Sequence, residues 1–246
     1  MENNEWKGQV KKIKEVLGLE LSPVAVACLK GPAAGSDTLD TKVRMCRAIL
    51  DAAAGRTVKI SGKNNACFGA AWHLGFHKLD NPKVAALTRK FVVEGEKLFC
   101  SYEALDMLVS QMHEVPDNSG SFFVLSPMET ADFIPQLAVF VCDADEASRL
   151  LTLAVFLDGK MPNIKIGGPT CRMVIMEPLL SAELNISFYD YTARKLCKVE
   201  NDKLLVSMPY DKIPKIAAAL DKCSAGTAKI EYPQEFREFL QKRMTR

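Results

Sequence analysis

Apolar residues at positions 6, 10, 13, 16 and 17 recur every three or four residues between lysines, which predicts an amphipathic opening helix over Glu5–Leu17. Ser22-Pro23 breaks that period. Residues 24–29, Val-Ala-Val-Ala-Cys-Leu, form an unbroken apolar run of strand length, and residues 30–40, rich in Gly, Pro, Ser and Asp, predict a polar loop. Helical spacing returns near Thr41, where Val43, Cys46, Leu50 and Ala53 share a face and Arg44, Arg47 and Asp51 lie off it. Gly55 ends that helix.

The period then switches to two. Val58-Lys59-Ile60 reads as a strand, Ser61-Gly62 as a turn, Asn64 and Asn65 as helix caps, and Cys67-Phe68-Gly69-Ala70 as the head of a short helix stopped at Gly75. Residues 81–111 read as mostly helical, interrupted at Gly95 and at Cys100-Ser101, with Ser101 capping a helix over 102–112. The breaker Pro116-Asp117-Asn118-Ser119-Gly120 divides the chain. Beyond it, residues 122–125 and 137–142 predict strands. Asp143 caps a helix carrying Ala147, Leu150, Leu151, Ala154 and Val155 up to Gly159. Ile164-Lys165-Ile166 then repeats the earlier theme: a short strand, the turn Gly167-Gly168, a Thr170 cap and Cys171 at a helix start. Strands at 186–189 and 204–207, a helix over 211–220 and a charged closing helix over 233–243 complete the chain.

Set side by side, the halves match. A strand ending in Cys28 or Cys142, a helix ending at Gly55 or Gly159, a Lys-Ile strand, a glycine turn and a cysteine-headed helix occur in that order twice. The predicted fold is α/β (or α+β): a mixed sheet with helices packed on it, built from two related strand-helix-strand-helix halves. The expected organisation is a single domain over 1–246, with pseudo-repeat halves at about 20–115 and 121–224 and the C-terminal helix at 233–243. Any two such units look alike at this level, so the duplication stays an expectation.

Composition narrows the function. With 246 residues, 48% hydrophobic and 25% charged, the chain can bury a core without covalent staples. A formal charge of +2, with no Lys/Arg run interleaved with aromatics, argues against nucleic acid. No segment approaches the roughly 20 apolar residues of a membrane span, and the first residues lack the apolar stretch of a secretory signal, so a cytoplasmic protein is expected. Eight cysteines without a C-x-x-C pair exclude a locally wound zinc or ferredoxin motif. Any metal site must therefore be assembled by the fold. Helix-start amides and the helix dipole favour negative charge, which predicts thiolate character at Cys67 and Cys171 and apolar burial for Cys28 and Cys142.

Five motifs in order carry a resemblance. They are Ser22-Pro23-Val24-Ala25-Val26, Arg44-x-Cys46-x-Ala48-Ile49, Cys67-x-Gly69-Ala70 with Leu74-Gly75, Glu146-Ala147-x-Arg149-Leu150, and Gly168-Pro169-x-Cys171 reaching Pro178. Together they resemble the uncharacterised family called domain of unknown function 169, common in archaea and anaerobic bacteria. The resemblance runs from about residue 13 to residue 224. It implies no established activity; it implies a setting in which oxygen-labile metal chemistry is available. It also maps cysteines onto Cys46, Cys67 and Cys171, and it places Asp190 where relatives often carry a further cysteine.

Two functions of different class follow. In the first, Cys46, Cys67 and Cys171, with Asp190 in the remaining direction, hold an iron–sulfur cluster of the [4Fe–4S] kind for electron transfer or a redox step with a redox partner. In the second, the glycine turns at Gly62, Gly69, Gly167 and Gly168, ringed by Arg47, Arg172 and Arg194, grip an anionic small molecule. On its own, Cys46 also reads as a small core hydrophobe. His73 and His77 share a helix face only if Gly75 does not interrupt it, and His113 reads as solvated.

Overall fold

The computed structural model describes residues 5–31, 42–77 and 81–244, so most of the loop expected at 30–40 lies outside the described residues. Among them, β1 (Val24–Lys30), β2 (Val58–Ser61), β3 (Ser121–Pro127), β4 (Leu137–Cys142), β5 (Asn185–Ser187) and β6 (Leu204–Pro209) form one sheet in the order β2-β3-β1-β4-β6-β5. The fold is mixed α and β, as expected, but every strand pair in the sheet is antiparallel. The physical reason lies in where the later strands insert. β1 and β2 do run parallel across a helical crossover, yet β3 inserts between them and pairs antiparallel with both. β6 does the same between β4 and β5.

Both faces of the sheet are covered, which explains the unbroken apolar runs of β3 and β4, buried along their whole length. On one face, Ala25, Ala138, Phe140 and Val206 pack against α1 (Glu5–Leu17), α6 (Ala144–Phe156) and α9 (Ile213–Ala219). Trp6, Val10, Ile13 and Leu17 are the buried stripe of α1; each such side chain contributes about 1.5–3 kcal/mol when fully buried. On the other face, Val24, Val26, Phe123 and Val139 pack against α2 (Met45–Ala53), α3 (Phe68–His73) and the segment leading into α7 (Glu177–Ser181). Ala193 and Cys197 of α8 (Tyr191–Cys197) join the same cluster. This second face carries the candidate site.

In each half the third strand lies between the first and the second, so the halves share one strand order. The first crossover helices differ, since α2 and α6 lie on opposite faces of the sheet. The expected pairing of Lys59-Ile60 with Lys165-Ile166 is corrected. Residues 164–166 join no strand, and β5 holds the place in the second half that β2 holds in the first. Lys165 N donates instead to the Asn185 side chain at 2.8 Å, fastening the segment to β5 from outside the ladder.

Two further helices pack beside α3. α4 (Pro82–Lys90), capped by Asn81, widens into a π-helical turn over Phe91–Gly95, and α5 (Tyr102–Ser110) starts at the Ser101 cap. A second π-helical turn, Arg172–Met176, precedes α7. Such turns re-aim side chains and often stand beside functional groups.

Candidate metal centre

Two hydrogen-bonded loops set the first pair of thiols. Val43 N donates to Asn64 O at 3.0 Å, and Ala66 N donates to Val43 O at 2.9 Å, so the approach to α2 is tied to the approach to α3. Asn64 is not a helix cap. Its buried amide closes the turn after β2 by accepting from Ser61 N at 2.8 Å and donating to Lys59 O at 2.9 Å. Asn65 likewise serves the loop, donating to Cys67 O at 2.6 Å. Cys67 itself is the N-cap of α3, its Sγ accepting from Ala70 N at 3.5 Å. Cys46 lies in the first turn of α2, just after the extended Arg44.

The second pair comes from the other half. Cys171 lies in the helical turn that begins at Thr170 and runs into the π-helical turn; Cys197 ends α8. Asp190 joins the two segments. Its Oδ1 accepts from Ala193 N and Thr192 Oγ1, both at 2.8 Å, and its Oδ2 accepts from Thr170 N at 3.1 Å and Thr170 Oγ1 at 2.9 Å. One carboxylate thus caps the starts of two helices. Burial pushes its pKa up, but these four donors outweigh burial and the net shift is downward.

Cys46, Cys67, Cys171 and Cys197 line one narrow cavity of about 40 Å³, with Asp190, His73, Glu96 and Arg44 also in its wall. That volume admits a few waters. Every one of the four thiols is shifted upward, contrary to the thiolate character expected at helix starts. For Cys46 the first cause is burial, followed by the charges of Cys171, Asp190, Cys197 and Cys67. Burial also leads at Cys171, followed by Cys67 and Asp190. At Cys67 the Ala70 amide and Arg44 oppose burial without overcoming it, and at Cys197 Arg44 and Arg47 do the same. A helix N-terminus offers at most a couple of kcal/mol to an anion, and desolvation of a thiolate exceeds that here.

Most of the other expected site residues lie elsewhere. Gly69 lines the cavity, but Gly62 packs against Phe76, and Gly167 and Gly168 border a separate recess beside Tyr189. The three arginines expected to ring the turns have other partners. Arg47 is exposed and pairs with Asp51 at 2.8 Å. Arg194 donates to the carbonyls of Phe188, Glu200, Asn201 and Lys203. Arg172, buried, bridges Glu177 at 2.8 Å and the His113 carbonyl. His113 is not simply solvated, because its Nδ1 lies 2.6 Å from Glu177 Oε2, which also accepts from Lys165 Nζ at 3.0 Å. Cys142 is buried as expected, whereas Cys28 is only partly so.

Cys197 is the residue that sequence reading missed. Its signal was present: it follows Arg194 by three residues on the helix that Asp190 begins, and so shares a face with that cap. The sequence alone assigns His73 no role. It is 3% exposed, stacks on Trp72 at 4.6 Å, and is held neutral, its pKa pushed down to about 3 by burial first and Arg172 second. It also borders a neighbouring cavity of about 530 Å³ that His77 and His113 line as well. His77 lies beyond Gly75, outside α3.

Among the described residues, no group of three or more His, Cys, Asp or Glu is placed so that it could hold a metal ion. A lone tetrahedral ion needs donors each about 2.3 Å from one point. A cluster asks for one thiolate per iron, spread over a wider volume.

Residues 12–219 match the family described as "Uncharacterised ArCR", domain of unknown function 169. An uncharacterised protein of Methanocaldococcus jannaschii is 25% identical over 227 residues, covering 90% of this chain and 96% of its own. No solved structure matches. Among the described residues, no helix is long and apolar enough to cross a membrane.

Proposed function

The chain belongs to the domain of unknown function 169 family, and we propose that it binds an iron–sulfur cluster of the [4Fe–4S] kind through Cys46, Cys67, Cys171 and Cys197, in electron transfer or a redox step. The observation that supports this reading is the convergence of four cysteines, carried by four separate segments of chain, on one cavity. Cys28, Cys100, Cys142 and Cys223 do not line it. Soft thiolate donors select iron–sulfur clusters, zinc or copper(I) over harder cations.

Charge supports the same reading. The pKa of each of the four thiols is raised, first by burial and at Cys46, Cys171 and Cys197 also by neighbouring thiols, so they are poor anions alone, and a cationic metal core would let them ionise together. Cys197 replaces Asp190 in the ligand set, since the four acceptor positions of that carboxylate are already used. Asp190 instead holds the Cys171 turn against α8. When bound, such a cluster supplies one-electron chemistry. The protein's part is to hold the thiols, exclude bulk water and present Arg44 beside Cys67 and Cys197. The cavity of about 40 Å³ between the thiols is small, so seating a cluster requires the walls to move apart.

The test is anaerobic purification or reconstitution with iron and sulfide. Brown protein with about four irons and four acid-labile sulfides per chain is expected, and serine at any of the four cysteines should lower both while Cys100→Ser should not. Colourless protein without sulfide, or zinc bound in its place, refutes the reading.

A further inference from the structure

Two buried polar atoms near the four thiols have no hydrogen-bond partner: His73 Nε2 and the Tyr189 hydroxyl. An orphan of this kind costs about 1–3 kcal/mol and is rare enough to need a cause. Both residues are almost completely enclosed, at 3% and 7% exposure. His73 is in the wall of the cysteine cavity. Tyr189 is in the wall of the adjoining recess, which shares Leu98, Pro169 and Asp190 with that cavity, and it packs in the same core cluster as Cys171 and Cys197.

Their positions are held at a cost. Tyr189 has φ of 60°, a left-handed backbone that a bulky non-glycine residue rarely adopts. Ser187 Oγ accepts from its amide at 3.1 Å, and the Arg194 guanidinium stands 5.8 Å from its ring. His73 is fixed by its stack on Trp72. Strain and unpaired polar atoms at one place point to a partner that arrives later.

We propose that His73 and Tyr189 are the hydrogen-bond donors to the sulfur atoms of the bound cluster and that they set its reduction potential. This rests on the cluster reading above. A phenol O–H always has a proton to give, and a neutral imidazole carries one N–H that it can place on Nε2. Each added electron makes the cluster more anionic, so N–H and O–H donors aimed at sulfur stabilise the reduced form and raise the potential. The two residues are positioning groups; the thiols alone are ligands.

The experiment uses reconstituted wild type, Tyr189→Phe, His73→Phe and His73→Gln, with potentials read by EPR-monitored redox titration. Removing either donor should shift the one-electron equilibrium about tenfold toward the oxidised cluster, a fall of about 59 mV. Gln at position 73, which keeps an N–H, should recover part of it. In metal-free protein, Tyr189→Phe should be at least as stable as wild type, because it removes an orphan. In wild type with 15N-labelled histidine, pulsed EPR should detect a weak nitrogen coupling that His73→Phe abolishes. Wild type without iron and sulfide sinks the cluster reading itself. Wild-type potentials in both Phe variants overturn the present inference alone, as does loss of iron from a folded His73→Phe, which would make His73 a ligand. A metal-free Tyr189→Phe clearly less stable than wild type overturns it too, by showing that the hydroxyl already had a partner.

Discussion

Cys67 and Asp190 hold equivalent places in the two halves of the sheet. Each is the N-cap of the helix that follows the outer strand of its half, and each accepts from the amide three residues on, Ala70 N to Sγ at 3.5 Å and Ala193 N to Oδ1 at 2.8 Å. The sequence theme had matched Cys67 with Cys171 instead. The sheet order pairs it with the carboxylate, and Cys171 enters through the extra segment between α6 and β5.

Asp190→Ala should destabilise the protein by about 2–4 kcal/mol, the combined effect of two helix caps and their side-chain hydrogen bonds. Urea unfolding at pH 7 measures it. A carboxylate with a depressed folded pKa contributes stability that is present above its ordinary value near 4 and lost as pH falls through the lower folded value. The gap between wild type and Asp190→Ala should therefore narrow below about pH 4. An equal gap at pH 7 and pH 3 would contradict the capping role.

Thiol labelling of metal-free native protein should begin at the exposed Cys100 and be slow at the four cavity cysteines. Their raised pKa values leave little thiolate at pH 7, and enclosure adds to the protection. Their rate should climb with pH, and iron loading should release protons. Mass mapping after a short alkylation reads the order, and early labelling of Cys171 would count against it.

Glu177→Gln should cost roughly 3–5 kcal/mol, because it leaves Arg172 buried beside a neutral partner. Lys165 and His113 lose the same acceptor. Replacing both Arg172 and Glu177 by apolar residues of similar size should recover much of the loss, and a double-mutant cycle by chemical denaturation measures it. If the single variant matches wild type, the network is not a structural clamp.

Gly75→Ala should destabilise by about 2 kcal/mol or more. Gly75 has φ of +75°, and a Cβ there would meet Pro116 O at 2.2 Å. Because Asn118 N donates to Gly75 O at 2.8 Å and its side chain to Leu74 O at 2.8 Å, the turn after α3 is clamped against the loop before β3. Thermal melts of the metal-free protein give the number, and a variant as stable as wild type would show that this loop yields.

Local sequence determined what local physics controls. Spacing alone placed α1 at Glu5–Leu17 and β4 at Leu137–Cys142, Asp143 was read as a cap from its position before the apolar period, and α5 begins at the Ser101 cap as expected. These features depend on neighbours within a turn or a strand. Only the tertiary structure decided which strands become neighbours, because β3 and β6 insert between strands that a crossover had already set parallel. It also decided the site. Cys197 and His73 are remote in sequence from Cys46, and only the packing of α2, α3 and α8 on one face brings them to a common cavity. The direction of the thiol pKa shifts had the same origin, since a helix start is visible in sequence while the burial that overrides it is not.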